Sequence, residues 1–321
     1  MLKRLLLIVA VLGLVAGTAT YWRLWLASGP APGPHRVKVE EGSTLASVAR
    51  RLEEQGVIPG TARTYRGMAR IFGSPDPIQA GEFEIPAGAG GAKVLDILQH
   101  GRPVVRLVTI PEGMPSILVQ EKLAAIRELT GPAPLPAEGS VLPNSYDWQA
   151  GESRAALVGR MTEAMDMLLR TEWPRRSSDA VVSTPQEAVI LASIVEKETG
   201  KASERPMIAG VLSNRIRIGM ALGADATTIY PITRGKPLGR MIRRSELAAD
   251  NGYNTRRKPG LPVGPITNPG RDSIAAVLNP AKTDALYYVA DGSGGHVFAR
   301  TLAEHNANVA KWRAYRRAKG I

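Results

Sequence analysis

From Pro185 to Gly200 the chain reads PQEAVILASIVEKETG, a segment that leaves little choice of fold around it. Thr184 followed by Pro185 and by Glu187 three residues on predicts a capped helix start, with proline in the first turn and a capping box. From Ala188 to Val195 only Ser193 is polar. A helix apolar all round belongs inside a core rather than on a surface, and Gly200 offers a stop. The run ends at Glu196, a carboxyl in the last helical turn, where the helix dipole disfavours negative charge and burial adds desolvation. Both effects favour the protonated form, which is what a general acid requires. The competing reading is a solvated Glu196, or one paired with Lys197 or Arg205.

The start of the chain sets the compartment. Leu5–Trp22 is a run of 18 uncharged, mostly apolar residues in a chain of 321, about the minimum for spanning a bilayer. Lys3 and Arg4 precede it and Tyr21, Trp22 and Trp25 follow, which predicts a positive end inside and an aromatic belt at the far interface. A cleaved signal peptide with a small-residue site near Gly17 and Ala19 is the alternative. The chain has no cysteine, so its stability must come from a packed core rather than disulfides. A net charge of +12 suits anionic headgroups or an acidic polymer. Nucleic acid is not expected as a partner, because no basic motif interleaved with aromatics is present.

Beyond the first helix, Ser28–Pro34 (SGPAPGP) predicts a spacer unable to hold a helix. Arg36–Ile58 reads as a strand, a Glu-Gly turn and an amphipathic helix with Leu45, Val48, Ala49 and Leu52 on one face. Gly81–Gly88 follows as a second strand and Ala92–Gly101 as a second helix. Arg102–Met114 repeats a strand running into Pro-Glu-Gly, and 130–139 marks a loop or boundary. Helices are expected near 154–172 and 204–218 and at the basic C-terminus. The region after Gly219 is expected to be loop-rich, with 260–270 an irregular Gly/Pro wall and 284–299 a hairpin. The fold class is therefore α+β, with an anchor over 1–27, a linker over 28–35, a small subdomain over 36–108 and a larger mixed domain over 109–321.

No HExxH, GxSxG or phosphate-cradling loop occurs, and the four histidines lack ligand spacing, so neither a metal nor a cofactor is expected. What remains is one well-placed carboxyl among neutral hydrogen-bonding groups: Asn214, Asp225, Thr227, Tyr230, Tyr253, Asn254, Thr255 and Asn268. That mixture suits sugars rich in hydroxyls and amides.

Several ordered motifs resemble the MltG (YceG-like) family of endolytic murein transglycosylases. They are TIPEG at 109–113, EGSVLPNSY at 138–146, LASIVEKET at 191–199, SNRIRIGM at 213–220, YNT at 253–255, GLPVGPITNPG at 260–270 and YYVADGSGGHVFA at 287–299. The resemblance implies a LysM-like subdomain near 36–101 and a catalytic domain behind it. It implies that Glu196 is the single catalytic acid and base and that Ser193 joins the eight polar residues above in binding substrate. The implied reaction cuts the β-1,4 bond between N-acetylmuramic acid and N-acetylglucosamine of nascent strands, and the sugar's own C6 hydroxyl closes a 1,6-anhydro ring. The implied setting is the cell inner membrane, crossed once, with the catalytic domain in the periplasm and the cell-wall synthesis machinery as partner. The chain departs from the family at Gly223–Thr227, where only Asp225 and Thr227 are kept, at Arg256 after YNT, and at Val141–Tyr146. Two other readings stand beside this one: a non-catalytic glycan-binding anchor, and an aminodeoxychorismate lyase, which would need pyridoxal phosphate.

Overall fold

The computed structural model describes residues 2–320. The chain divides into two compact units, Met1–Arg106 and Leu107–Ile321.

In the first unit, α1 (Leu2–Tyr21) continues through a π-helical turn at Trp22–Leu26. Lys3–Leu26, 24 residues, is long and apolar enough to cross a membrane. Its far end is packed into protein, with Trp25 only 3% exposed in the core of the unit. The Pro/Gly-rich segment that follows is pinned as well: Gly29 N donates to Gly88 O at 3.0 Å and Gly88 N to Ala31 O at 2.9 Å. Next come β1 (His35–Val39), α2 (Leu45–Glu54), α3 (Ala62–Phe72), β2 (Gly81–Ile85) and α4 (Gly91–His100). The strands pair antiparallel with Val37 opposite Phe83. That register puts Val37, Val39, Phe83 and Ile85 on the face covered by Leu52, Tyr65 and Leu98.

The sequence predicts one helix between these strands and the structure has two. Thr61 starts α3 with a reciprocal capping box to Thr64, and Tyr65 and Ala69 form its buried stripe. Gly67 and three arginines dilute that stripe; a mid-helix glycine alone costs about 1 kcal/mol of propensity. Packing against the unit's core overrides the weak local signal.

The second unit opens with β3 (Arg106–Ile110), α5 (Ser116–Ala124) and β4 (Asn144–Trp148), which pairs with β3. Helices α6 (Arg154–Glu172), α7 (Pro185–Glu198) and α8 (Arg205–Arg217) follow. The stretch after Gly219 holds more regular structure than its glycines suggest: α9 (Asp225–Thr233), α10 (Arg244–Leu247) and α11 (Arg271–Leu278). The expected hairpin forms from β5 (Tyr287–Ala290) and β6 (His296–Ala299), and the chain ends with α12 (Leu302–Lys319). Residues 260–270 carry no helix or strand, as their Gly/Pro content requires.

Helix α7 is the centre of this unit. Leu191, Ala192, Ile194 and Val195 are fully buried against α8 and α11, each large aliphatic side chain contributing about 1.5–3 kcal/mol. Half of the expected capping box forms. Thr184 Oγ1 accepts from Glu187 N at 3.1 Å, but the Glu187 carboxylate accepts from Ser183 N at 2.6 Å instead of reaching the cap residue. The helix ends at Glu198, with Thr199 extended.

Leu191→Ala should lower unfolding stability by about 2–5 kcal/mol through cavity formation. Met241→Ala, at a side chain 90% exposed, should change it by less than about 0.5 kcal/mol. Urea denaturation followed by tryptophan fluorescence measures both.

Candidate active site

Glu196 leaves the last turn of α7 pointing at the start of α11. Its Oε2 accepts hydrogen bonds from Gly270 N at 2.9 Å and Ser273 Oγ at 2.7 Å, and its Oε1 lies 3.1 Å from Arg205 Nη2. The carboxyl therefore escapes the unfavourable end of its own helix by sitting at the N-terminus of another, where unpaired backbone N–H groups and the dipole attract negative charge. Of the alternatives open in the sequence, pairing with Arg205 is the one found.

Arg205, the first residue of α8, is 8% exposed at its side chain and serves three carboxylates. Besides Glu196 it meets Glu112 Oε2 at 2.6 Å and Asp272 Oδ2 at 3.3 Å. Burial opposes its charge, but Glu196, Glu112 and Asp272 outweigh that and hold the guanidinium above its ordinary pKa. Exposure is graded across the set: the Glu196 side chain is 5% exposed, Glu112 42% and Asp272 65%. Glu112 and Asp272 thus form a solvent-facing rim above a covered Glu196.

Four segments far apart in sequence meet here, and two polar side chains and one backbone N–H tie them together. Ser193 Oγ donates to Ile190 O within α7 and accepts from Ile266 N at 3.1 Å, which docks the 260–270 segment on the helix. Asn268 Oδ1 accepts from Val141 N, and its Nδ2 donates to Met114 O at 2.8 Å and Ser116 Oγ at 3.2 Å. Gly113 N donates to Asn268 O, so the Pro-Glu-Gly turn is clipped to the same segment. Glycine at 270 leaves room for the Glu112 carboxylate: a Cβ there would lie 2.0 Å from Glu112 Oε1 and push that side chain aside.

The other residues expected to touch substrate fall elsewhere. Thr227 and Thr255 are buried and bonded to each other at 2.8 Å. Asn254 is buried, and its Nδ2 donates to the carbonyls of Leu247 and Ala249, which closes the loop around α10. Asn214 Nδ2 donates to Thr283 O and Ala285 O. The polar capacity of these four is spent within the protein. Asp225 is exposed and paired with Arg256. Tyr230 and Tyr253 are half-buried with ring centroids 4.8 Å apart, and Tyr230 OH donates to Glu138 at 3.1 Å. Glu138 also accepts from Ser116 N at the start of α5, and burial raises its pKa. Neither Thr227 nor Asn254 bonds to Glu196.

Glu198, two residues after Glu196 at the end of α7, reads in sequence as an ordinary solvated charge. The structure corrects this: its Oε2 accepts from Tyr288 OH at 2.8 Å, and burial pushes its carboxyl above the usual range while that hydrogen bond pulls it down. Spacing still turns it away from Glu196, since residues i and i+2 face different sides of a helix. Ser273 and Asp272 were also missed, for want of any local signal that α11 starts at the end of α7.

Residues 37–311 match the YceG-like family. Over 325 residues the chain is 28% identical to an endolytic murein transglycosylase of Streptococcus pneumoniae, covering 86% of this chain and 58% of that protein. It is 33% identical over 178 residues to an endolytic murein transglycosylase of Bacillus subtilis, covering 55% of this chain and 48% of the other. The chain thus spans about half the length of the curated relatives it matches. The crystal structure of a yceG-like protein from Listeria monocytogenes is similar at a TM-score of 0.54 with 25% identity, over 86% of this chain and 98% of that one.

Arg205→Met should cost about 3–5 kcal/mol, because it strands a buried carboxylate, whereas Glu112→Gln at the exposed rim should cost less than about 1 kcal/mol. Thermal unfolding of both variants checks this. For Glu198 the folded-state pKa is raised, so its contribution is fully present below the unfolded carboxylate pKa and is lost as pH rises through the folded value. Denaturation midpoints of Glu198→Gln and the parent should nearly coincide at about pH 4 and separate in favour of the variant towards about pH 8.

Proposed function

The chain belongs to the YceG-like family, and we propose that it is a membrane-anchored lytic transglycosylase that cuts nascent peptidoglycan strands internally, with Glu196 as its single catalytic carboxyl. The observation that carries this reading is the set of donors converging on Glu196: Arg205, Gly270 N–H and Ser273 O–H.

A hydrolase needs two carboxylates because one must attack the sugar or activate water. Here the nucleophile is the muramic C6 hydroxyl, so one group does both proton transfers. Glu196 gives a proton to the leaving glycosidic oxygen; the C6 oxygen then closes on C1, and its proton returns to Glu196. Between these steps the carboxylate is held by a guanidinium and two hydrogen-bond donors. The Ser273 hydroxyl can serve both states, donating to the ionised carboxyl and accepting from the protonated one. One guanidinium among three carboxylates also leaves the cluster with an excess of negative charge when all are ionised. Glu112 and Asp272 supply the rim across which the strand would approach.

The same reading assigns the strand-helix-helix-strand order of the first unit to a LysM-like module, a fold suited to N-acetylglucosamine polymers. Lys3 and Arg4 on the cytoplasmic side would place both units in the periplasm, near newly made strands and the synthesis machinery that extends them. Tethering there raises the local concentration of enzyme around its substrate.

One observation favours a second reading. With its side chain 5% exposed and both oxygens bonded, Glu196 also fits a purely structural ion pair in a non-catalytic glycan-binding anchor. Digestion of purified peptidoglycan by the full chain in detergent, read by mass spectrometry, separates the two. The parent should release 1,6-anhydro ends, and Glu196→Gln should slow their release by at least about 10²-fold. Equal yields from both proteins would refute the assignment of Glu196. No anhydro product from either would leave the binding anchor.

A further inference from the structure

We propose that the C-terminal tip of α3 is a second membrane contact, inserting Ile71 and Phe72 into the interface beside the anchor helix. This rests on the reading of α1 as a membrane anchor.

Three contacts, taken in order, fix how α3 lies against that helix. A Cβ at Gly60, just before α3, would lie 3.1 Å from Leu24 Cδ2. Within α3, Tyr65 meets Trp25 at 5.8 Å between ring centroids. At its last residue, Phe72 meets Tyr21 at 4.5 Å. Between Tyr65 and Phe72 the partner on the anchor steps back from Trp25 to Tyr21, so α3 crosses the anchor with its C-terminal end on the side nearer α1. The end of α3 therefore points towards the bilayer, level with Tyr21, the residue placed at the interfacial aromatic belt.

The docking is rigid rather than hinged. A Cβ at Gly90 would lie 2.5 Å from Ala27 O and one at Gly91 2.7 Å from Leu24 O, so the start of α4 presses directly on the backbone leaving the anchor. Trp25 is buried between these helices. No swivel separates the membrane helix from the unit, and whatever sits at the tip of α3 is carried to a set depth.

What sits there suits the interface. Ile71 is 72% exposed and Phe72 50%, and on the anchor Trp22, the residue after Tyr21, is 63% exposed. Exposed Arg70 adjoins them, its long stem able to bury apolar carbons while the head reaches phosphate. Large apolar side chains left open to water at this spot are explained if lipid covers them. An apolar tip with a neighbouring cation is how a helix seats in the zone between headgroups and acyl chains. The occupant is thus the bilayer that holds α1, and the patch continues the surface of that helix.

Because the chain has no cysteine, one introduced thiol labels one place. Full-length Ile71→Cys, Arg63→Cys and Leu14→Cys, each carrying an environment-sensitive fluorophore, would be placed in nanodiscs with and without lipids bearing a nitroxide high on the acyl chain. Arg63 lies two turns back along α3, about 12 Å from Ile71 along the helix axis and on the side away from Tyr21. Ile71 is exposed enough for the change to leave packing intact. Quenching should roughly halve the signal at 71, as expected for a side chain at the acyl boundary, and leave 63 nearly unaffected. Strong quenching at 14 with equally weak quenching at 71 and 63 would overturn the proposal while leaving the anchor reading in place. No quenching at 14 would remove the anchor reading itself, and the proposal with it.

Discussion

The second unit is organised around a charge that its own helix cannot stabilise. Glu196 ends an apolar helix buried for most of its length, and a lone carboxylate there would carry a desolvation cost of several kcal/mol. Its answer is to borrow three donors from two other segments: the guanidinium that begins α8, and from α11 the N–H at its start and the Ser273 hydroxyl one turn in. Those bonds hold only if α7, α8 and α11 pack in one arrangement. The buried aliphatic faces of these helices secure that packing. Core and site are thus one construction, and a change that loosens the first should blunt the second.

The same constraint gives the quiet residues their meaning. Ser193 and Asn268 touch nothing that reacts, yet they fix the irregular 260–270 segment against α7 and the Pro-Glu-Gly turn. That clamp delivers Gly270 to Glu196 and lets Glu112 pass over it without a Cβ in the way. An irregular segment suits this task better than a helix or strand, because its backbone donors are not consumed by regular structure.

Local structure was legible where it is locally determined. The start of α7 follows from Thr184 and Pro185, the length of α6 from its apolar repeat, and the hairpin of β5 and β6 from its glycine turn. Helix α3 escaped because three arginines and Gly67 blur its stripe, and α9 and α11 because glycine and proline flank them. At the site, Glu196 was legible as a carboxyl in an uncomfortable place, and the motif at 109–113 was visible without any role for Glu112. Arg205 could be named only as one possible partner. That it gathers three carboxylates is a fact of tertiary convergence, which no periodicity encodes. The polar residues after Gly219 show the converse error: side-chain chemistry suited to sugars reads the same in sequence whether it faces solvent or, like Thr227, Asn254 and Thr255, bonds inward.

Catalysis by Glu196 requires its carboxyl to reach a glycosidic oxygen although protein covers most of it. The most direct measurement is a structure of the Glu196→Gln chain holding an uncleaved peptidoglycan oligosaccharide. A β-1,4 oxygen should lie within hydrogen-bond reach of the side chain at 196, about 2.6–3.2 Å, with the strand crossing the Glu112 and Asp272 rim. A strand bound away from that rim, with the Arg205 cluster closed beneath it, would contradict it.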